Sequence, residues 1–210
     1  MFESLIRPLR PAPLGLCLTL SGLDTVLYRP GVWGALVHVL ALLVTLRYGY
    51  WIIERRAAGS RGDAITDWRS FNQGFEEPFK LVIVIALFAV VHGVTTHYAG
   101  KGAARVVLVM ANLLAPAIAL IIGLDGSIVN ALSPARIAAL IGRIGPSYWA
   151  ACLVLAVFSV AGDMVLSVLL AAASGSLRLF IYGFCSFYYI LAVFFTMGWL
   201  VALRREELIG

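Results

Sequence analysis

The sequence predicts an all-α protein, a polytopic transmembrane helical bundle with five full spans and an N-terminal interfacial or half-inserted helix. Of its 210 residues, 61% are hydrophobic and only 13% are charged, whereas soluble domains have about 45–50% apolar and about 25% charged residues. Long apolar runs recur along the chain, and most of the charge falls between them or near the ends. Such a chain has too little polar surface to face water, so its solvent is largely lipid.

The N-terminal segment, residues 1–31, is distinct from the predicted bundle of residues 32–210. Its apolar stretch 14–28 would form a helix of roughly 22 Å, which is shorter than a hydrocarbon core of about 30 Å. Within it, Leu16, Leu20 and Leu23 lie on one helical stripe. This pattern favours a helix that lies in the membrane interface or is half inserted. Six full spans are the alternative.

Five longer apolar segments predict the full spans. They are residues 32–53, 81–98, 106–123, 148–173 and 179–203. Each has about the length that a membrane-crossing helix requires. The third contains Pro116, which a bundle tolerates where neighbours bond the carbonyl that proline leaves without a partner.

Lys and Arg residues predict the orientation, because cytoplasmic loops collect them. With loop 54–80, residues 124–147 and the C-terminus on one side, that side holds nine basic residues, against three in the two opposite connections. We therefore expect loop 54–80 and the C-terminus in the cytoplasm. If the N-terminal helix also crosses, Arg7 and Arg10 join this side and the count becomes eleven against four.

The connector 133–146 has the pattern of a short amphipathic helix. Ser133-Pro134 is a typical helix start and Gly145-Pro146 a typical end. Four apolar residues recur at helical spacing: Ile137, Leu140, Ile141 and Ile144. Arg136 and Arg143 share another face, so we expect a helix on the cytoplasmic surface with its arginines near lipid phosphates. An ordinary packed connector is the alternative.

Loop 54–80 is the longest polar run of the chain. Arg55 and Arg56 end the first full span, and four aromatic residues follow: Trp68, Phe71, Phe75 and Phe79. The three phenylalanines recur every four residues, so on one helix they form a stripe. The stripe predicts an ordered cap packed against the membrane end of the bundle. Contact with a partner protein or with lipid is the alternative.

A set of residues in the loops and at the adjoining ends of the spans resembles the motifs of a known family. The set is Gly49, Ile52-Ile53-Glu54-Arg55-Arg56, Gly59, Gly62, Asp67-Trp68, Phe71 and Gly74, and later Asn130-Ala131-Leu132-Ser133-Pro134 and Pro146-Ser147-Tyr148. It is similar to a domain-of-unknown-function family of bacterial and archaeal polytopic integral membrane proteins. The resemblance runs from about residue 27 to the C-terminus and implies a multi-pass protein of the bacterial inner (cytoplasmic) membrane. The family has no established activity, so the resemblance assigns no functional residue.

Polar residues inside the predicted spans are the candidate functional residues, because ionisable side chains are costly in lipid. Measured from the cytoplasmic ends at about 1.5 Å per residue, six of them fall at similar depths. The six are His38, Asp163, Tyr188 and Tyr189 at roughly 22 Å, and His92 and Asn112 at roughly 17 Å. They predict a polar layer, which serves either as interhelical hydrogen bonding or as a proton or solute pathway. Arg47 lies only about 9 Å deep, and we expect its side chain to reach the interface near Tyr48 and Trp51.

Signatures of catalysis are missing from the sequence. It contains no HExxH, GxSxG or P-loop motif and no Cys/His cluster. The basic residues are scattered, which argues against a nucleic-acid partner despite the net charge of +5. We therefore expect a protein without enzyme activity, cofactor or metal that binds lipids, other membrane proteins or a second copy of itself. A small transporter or channel subunit using His38, His92 and Asp163 is the alternative.

Overall fold

The structure, a computed structural model, describes residues 2–27, 32–60, 71–72 and 74–209. Across these ranges the regular structure is helical and no strand is present, as the sequence predicts. The helices are α1 (Phe2–Ile6), a 3-10 turn (Arg7–Leu9), α2 (Pro11–Leu27), α3 (Val32–Ala57), α4 (Glu76–Asp125), α5 (Ile128–Leu132), α6 (Pro134–Ile144), α7 (Pro146–Ala172), α8 (Gly175–Leu203) and α9 (Arg205–Ile209). Within the described part, α3, α4, α7 and α8 are long and apolar enough to cross a membrane.

Helix α4 is a hairpin rather than one straight rod. Gly100 interrupts it with φ 83° and ψ 172°, a backbone conformation that glycine adopts readily because it has no Cβ. Phe88 and Leu114, on either side of this residue, line the same pocket. In a straight helix they would be roughly 39 Å apart. The chain therefore turns back at Gly100, and residues 76–99 and 101–125 form two arms.

Helix α8 is the central helix, because α1, α2, α3 and α7 all pack against it. The main core lies where α8 meets α3 and the two ends of the α4 hairpin, and includes the buried side chains of Ile53, Leu120 and Met197. Gly49 lets α3 approach α8 closely, since a Cβ there would overlap the Phe194 ring. The core is therefore concentrated at the end of the bundle where α3 leads into loop 54–80.

The opposite end of the molecule is open. Residues 85–103, around the turn of the α4 hairpin, and residues 156–182, from α7 into α8, contain no buried side chain. Many exposed side chains in both stretches are large and apolar, among them Val90, Val160 and Val168. Within the described ranges, no other part of the protein covers the exposed apolar side chains of these two stretches.

Helix α2 packs along the long helices. Cys17 and Ser21 are fully buried against them. Arg10, just before α2, lines a pocket with Arg56 at the end of α3, whereas Asp24 near the end of α2 contacts His38 in the first half of α3. Helix α2 is thus antiparallel to α3 and starts at the end of the bundle that carries loop 54–80.

The predicted connector helix is confirmed, with the expected bounds at both ends. Helix α6 covers Pro134–Ile144, with Ser133 at its N-cap and Gly145 at its C-cap. The Ser133 hydroxyl makes no capping hydrogen bond, so the start depends on the proline instead. Ile137 and Ile144 are buried, while Arg136 and Arg143 lie on another face of the helix and are exposed. Their contact with lipid phosphates stays a prediction.

Candidate functional site

Arg47 is the most deeply buried charge that the structure describes. Its side chain is only 1% exposed, and Nη1 donates to Glu54 Oε1 at 2.6 Å while Nη2 donates to Oε2 at 3.3 Å. Its Nε donates to the Phe71 carbonyl oxygen at 2.7 Å. Arg47 is therefore enclosed by protein, and its position at the membrane interface stays a prediction. A carboxylate and a carbonyl oxygen accept the hydrogen bonds that a guanidinium would otherwise donate to water, so the buried charge is stabilised by protein groups.

The contacts of Arg47 fix the return of loop 54–80 to the bundle. The guanidinium carbon lies 5.5 Å from the centroid of the Phe71 ring. Gly74 lies directly against the same guanidinium, where a Cβ would overlap it. The chain thus wraps closely around the arginine on both sides. Sequence reasoning missed this site, although Arg47 and Glu54 are seven residues apart and hence on one helical face.

The phenylalanine stripe forms only in part. Phe71 is buried and meets Phe75 edge to face, with ring centroids 6.0 Å apart. Phe79 is exposed. Because α4 begins only at Glu76, the three rings do not share one continuous helix, and the prediction of a single stripe is wrong. Trp68 lies outside the described residues.

The two arginines at the end of α3 have different environments. Arg55 stacks on Trp51, with its guanidinium carbon 4.8 Å from the ring centroid. Arg56 is buried, its stem lies against Gly198 of α8, and Nη1 donates to the Ser60 carbonyl at 3.4 Å. Arg56 therefore helps to hold α3 on α8. It also lines a pocket with Arg7, Arg10 and Arg205, which we call the arginine-lined pocket.

His38 contacts an acid that sequence reasoning did not select. Its Nδ1 lies 2.9 Å from Asp24 Oδ2, which joins α2 to α3. Its ring stacks on Phe187 of α8 at 6.1 Å. An acidic residue inside an otherwise apolar helix was the available signal for Asp24. This contact ties three helices together at one level of the bundle.

Tyr188 and Tyr189 of α8 lie at the same level of the bundle as His38, as expected. Their side chains, however, point away from His38 and contact other helices. The Tyr188 hydroxyl donates to the Leu5 carbonyl at 2.7 Å, and Tyr189 stacks on Phe158 of α7 at 6.3 Å. Phe187, which directly precedes the two tyrosines, stacks on His38. Successive helical residues point about 100° apart. The polar groups therefore surround α8, and of the predicted layer Tyr189 and Asp163 lie near each other, with Ser159 of α7 also close to Tyr189.

The other members of the predicted layer lie apart from His38. Asn112 is exposed and donates to the Leu108 carbonyl of its own helix at 3.0 Å. His92 is half-buried on the first arm of α4, and Asp163 is exposed on α7. The structure thus joins His38 to Asp24 and does not bring the six residues into one cluster. Their role as a pathway stays a prediction.

Asp163 lies on an uncovered face of α7, which we call the Asp163 face. Exposed apolar residues share this face: Val160, Met164 and Val168. Ser167 is exposed nearby and donates to the Met164 carbonyl at 2.7 Å. Among the described residues, Asp163 has neither an ion-pair partner nor a hydrogen-bond partner. Its carboxylate is available for a group outside the described chain.

Convergent metal ligands are not found in the described ranges, where no three His, Cys, Asp or Glu side chains come together. Comparison with known proteins adds no assignment: no family model, no curated protein and no solved structure matches the chain. The resemblance to the family of unknown function stays a prediction.

Proposed function

We propose that this chain is a non-enzymatic, multi-pass protein of the bacterial inner membrane that assembles with another integral membrane protein through the Asp163 face. The single observation that carries this proposal is the exposed carboxylate of Asp163 within an apolar helix of membrane-spanning length. Binding of lipids by other parts of the molecule is compatible with this role.

Six crossings are the topology that we propose: α2, α3, the two arms of α4, α7 and α8. The arms 76–99 and 101–125 would each be about 36 Å long, more than a hydrocarbon core of about 30 Å. Helix α2 is shorter, at roughly 25 Å, but its start lies beside Arg56 and its end beside His38. This supports the six-span alternative over five spans with a shallow helix.

The basic residues support an orientation with loop 54–80 and the C-terminus in the cytoplasm. Arg7 and Arg10 line the same pocket as Arg56 and Arg205. The N-terminus therefore belongs to the side that already has most of the Lys and Arg, which gives eleven against four. Such a bias is typical of cytoplasmic segments.

Asp163 is unfavourable in lipid and calls for a protein partner. It lies roughly 22 Å from Tyr148 along α7, well within the crossing. A charged residue at such depth costs about 2.5–3.5 kcal/mol on insertion scales. A partner helix that donates a hydrogen bond or carries a cation would remove this cost, and the flanking valines would pack against its apolar surface.

Site-specific photo-cross-linking tests the proposal. A photoreactive residue in place of Val160, on the Asp163 face, should give one defined adduct with a membrane protein in intact membranes. The same residue in place of Ile83, which is equally exposed on the first arm of α4, is the matched control and should give only lipid adducts. Asp163→Leu should abolish the adduct at position 160, and Asp163→Asn should reduce it less, because the amide still forms hydrogen bonds.

The result that overturns the proposal is equally specific. It is an absence of any protein adduct at position 160, or an adduct that Asp163→Leu leaves unchanged. Proton-coupled flux that Asp163→Asn abolishes while the adduct persists would instead favour the transporter alternative.

A further inference from the structure

A pocket of about 290 Å³ lies between the α4 hairpin and the connector helix α6, and we call it the connector pocket. Both arms of α4 contribute to its lining, together with α5 and α6. The side chains described in the lining are all apolar: Phe88, Leu114, Ile118, Leu132, Pro134, Ile137, Ala138 and Ile141. None of these side chains can form a hydrogen bond, so a polar ligand would lose its bonds to water without replacement. The lining therefore favours hydrocarbon.

The connector pocket is open on one side. Ile118 and Ile137 are buried at its base, whereas Leu132, Pro134 and Ala138 are exposed. The exposed residues mark the side on which the pocket reaches the surface of the bundle. A ligand can therefore enter from outside without separating the helices.

The position of the pocket along the α4 hairpin places it at the depth of hydrocarbon. Leu114 lies roughly 17 Å from the end of the second arm at Asp125, and Phe88 lies roughly 18 Å from the start of the first arm at Glu76. Each arm is only about 6 Å longer than a hydrocarbon core of about 30 Å. In the proposed crossings, these two lining residues are therefore well below the membrane interface.

Two arginines of α6 indicate the direction in which the pocket faces. Arg136 and Arg143 are exposed, and each is two residues from a lining residue, Ala138 or Ile141. Successive helical residues point about 100° apart, so each arginine lies about 160° around the helix from that lining residue. Arginines beside a membrane turn toward lipid phosphates and water. The pocket is then on the side of α6 that faces the acyl chains.

The volume of the pocket favours a slender ligand. An apolar cavity of about 150 Å³ holds one benzene ring, so 290 Å³ has room for about a dozen carbon atoms. One turn of an α-helix with its side chains, about 10 Å wide and 5.4 Å high, fills roughly 420 Å³. The pocket thus fits an alkyl chain and is too small for a helix of a partner protein.

We propose that the connector pocket binds one acyl chain of a membrane phospholipid. The chain packs between the two arms of α4 and α6, where it replaces empty space with dispersion contacts. It thereby holds the connector helix against the hairpin. This inference depends on the proposed crossing of the membrane by both arms, but it is independent of the Asp163 face.

A photoreactive lipid tests the proposal with the full-length protein in a mild detergent. The probe is a phosphatidylcholine with a diazirine near the end of one acyl chain. Mass spectrometry measures its adducts at Phe88, in the pocket, and at Ile83, which is exposed on the same arm. Ala138→Phe fills the pocket. The matched control, Ala139→Phe, adds the same ring to the next exposed residue of α6, which does not line the pocket.

The adduct at Phe88 should saturate at about one lipid per protein, because the pocket holds a single chain. The adduct at Ile83 should continue to rise with lipid concentration. Ala138→Phe should lower the Phe88 adduct by about tenfold, since the added ring occupies the space of the chain. Ala138→Leu should lower it less, and this smaller change keeps the test valid if phenylalanine prevents folding. Ala139→Phe should leave the adduct unchanged.

Three results would overturn the proposal. One is a Phe88 adduct that rises in parallel with the Ile83 adduct and does not saturate. Another is an equal loss of the Phe88 adduct in the variants at positions 138 and 139. The third is stronger competition by an unlabelled free fatty acid than by unlabelled phosphatidylcholine, which would assign the pocket to a ligand other than a bilayer lipid. None of them bears on the cross-linking at position 160, so failure here and failure of the proposed assembly are distinguishable.

Discussion

Arg47 and Glu54 show how one buried pair determines the course of a loop. Arg47 is 1% exposed and Glu54 is 40% exposed, so the two partners are not equivalent. Loss of the glutamate leaves a buried cation without the carboxylate that it bonds. Loss of the arginine leaves a carboxylate that water can still reach. The cost of breaking the pair therefore depends on which residue is removed.

Glu54→Gln is expected to lower the free energy of unfolding by about 2–3 kcal/mol. Removing one partner of a fully buried pair costs about 3–5 kcal/mol, and the partial exposure of Glu54 reduces that value. Arg47→Met should cost less, because it replaces the buried ion with an apolar side chain. Denaturant unfolding in detergent measures the loss of stability for both variants.

Glu76→Gln is the control. Its pair with Lys80 is on the surface, so a change in the free energy of unfolding below about 0.5 kcal/mol is expected. An equally large loss for Glu76→Gln would contradict this account.

At the scale of elements, the α4 hairpin and α6 differ in how far local sequence specifies them. The residues within and next to α6 specify where the helix starts, where it ends and which face is apolar. Its bounds are therefore as predicted. The α4 turn at Gly100 falls in the connection 99–105 that the sequence predicts between two spans, but that connection contains no proline and helical structure runs up to Gly100 on both sides. Packing of the two arms at their far ends holds the hairpin together.

Gly100→Ala should destabilise the hairpin by about 1 kcal/mol, because alanine is strained at positive φ. Gly102→Ala is the matched control, since nothing lies within 4 Å of its Cβ position and its φ is not in the positive region. That change should be neutral or stabilising, as alanine favours helix. Distances between spin labels at positions 88 and 114, measured during unfolding, report the closure of the arms. If both variants destabilise the hairpin equally, the backbone conformation of Gly100 does not determine its stability.

At the scale of the whole molecule, the number of crossings decides which groups face the cytoplasm. The proposed six crossings put Glu3, Ser60 and the arginine-lined pocket on one side and Lys101 on the other. Five crossings would put Glu3 on the same side as Lys101. The two arrangements therefore differ in the accessibility of the N-terminus.

Cysteine labelling distinguishes these topologies. In a background without the native cysteines, Glu3→Cys and Ser60→Cys should resist an impermeant maleimide in intact spheroplasts and react after lysis. Lys101→Cys should react in both conditions. Labelling of Glu3→Cys in intact spheroplasts, with Ser60→Cys still protected, would restore the five-span arrangement.

The contacts of polar side chains with other helices were the feature that the sequence predicted least accurately. The depth of a polar side chain follows from counting residues, and His38 indeed meets α8 at the level of Tyr188 and Tyr189. The direction of that side chain around its helix depends on which helices surround it. This is why the expected layer is instead distributed around α8, and why Asp24 was missed.

The sequence by itself determined the all-helical class, the apolar segments long enough to cross a membrane and the bounds of α6, because composition, hydrophobic period and helix-end residues act locally. Only the tertiary structure decided that Arg47 is buried with Glu54 and that Arg7, Arg10, Arg56 and Arg205 line one pocket. Those contacts join residues that are separated along the chain or turned inward by packing. Their geometry depends on how whole helices meet, which no local pattern specifies.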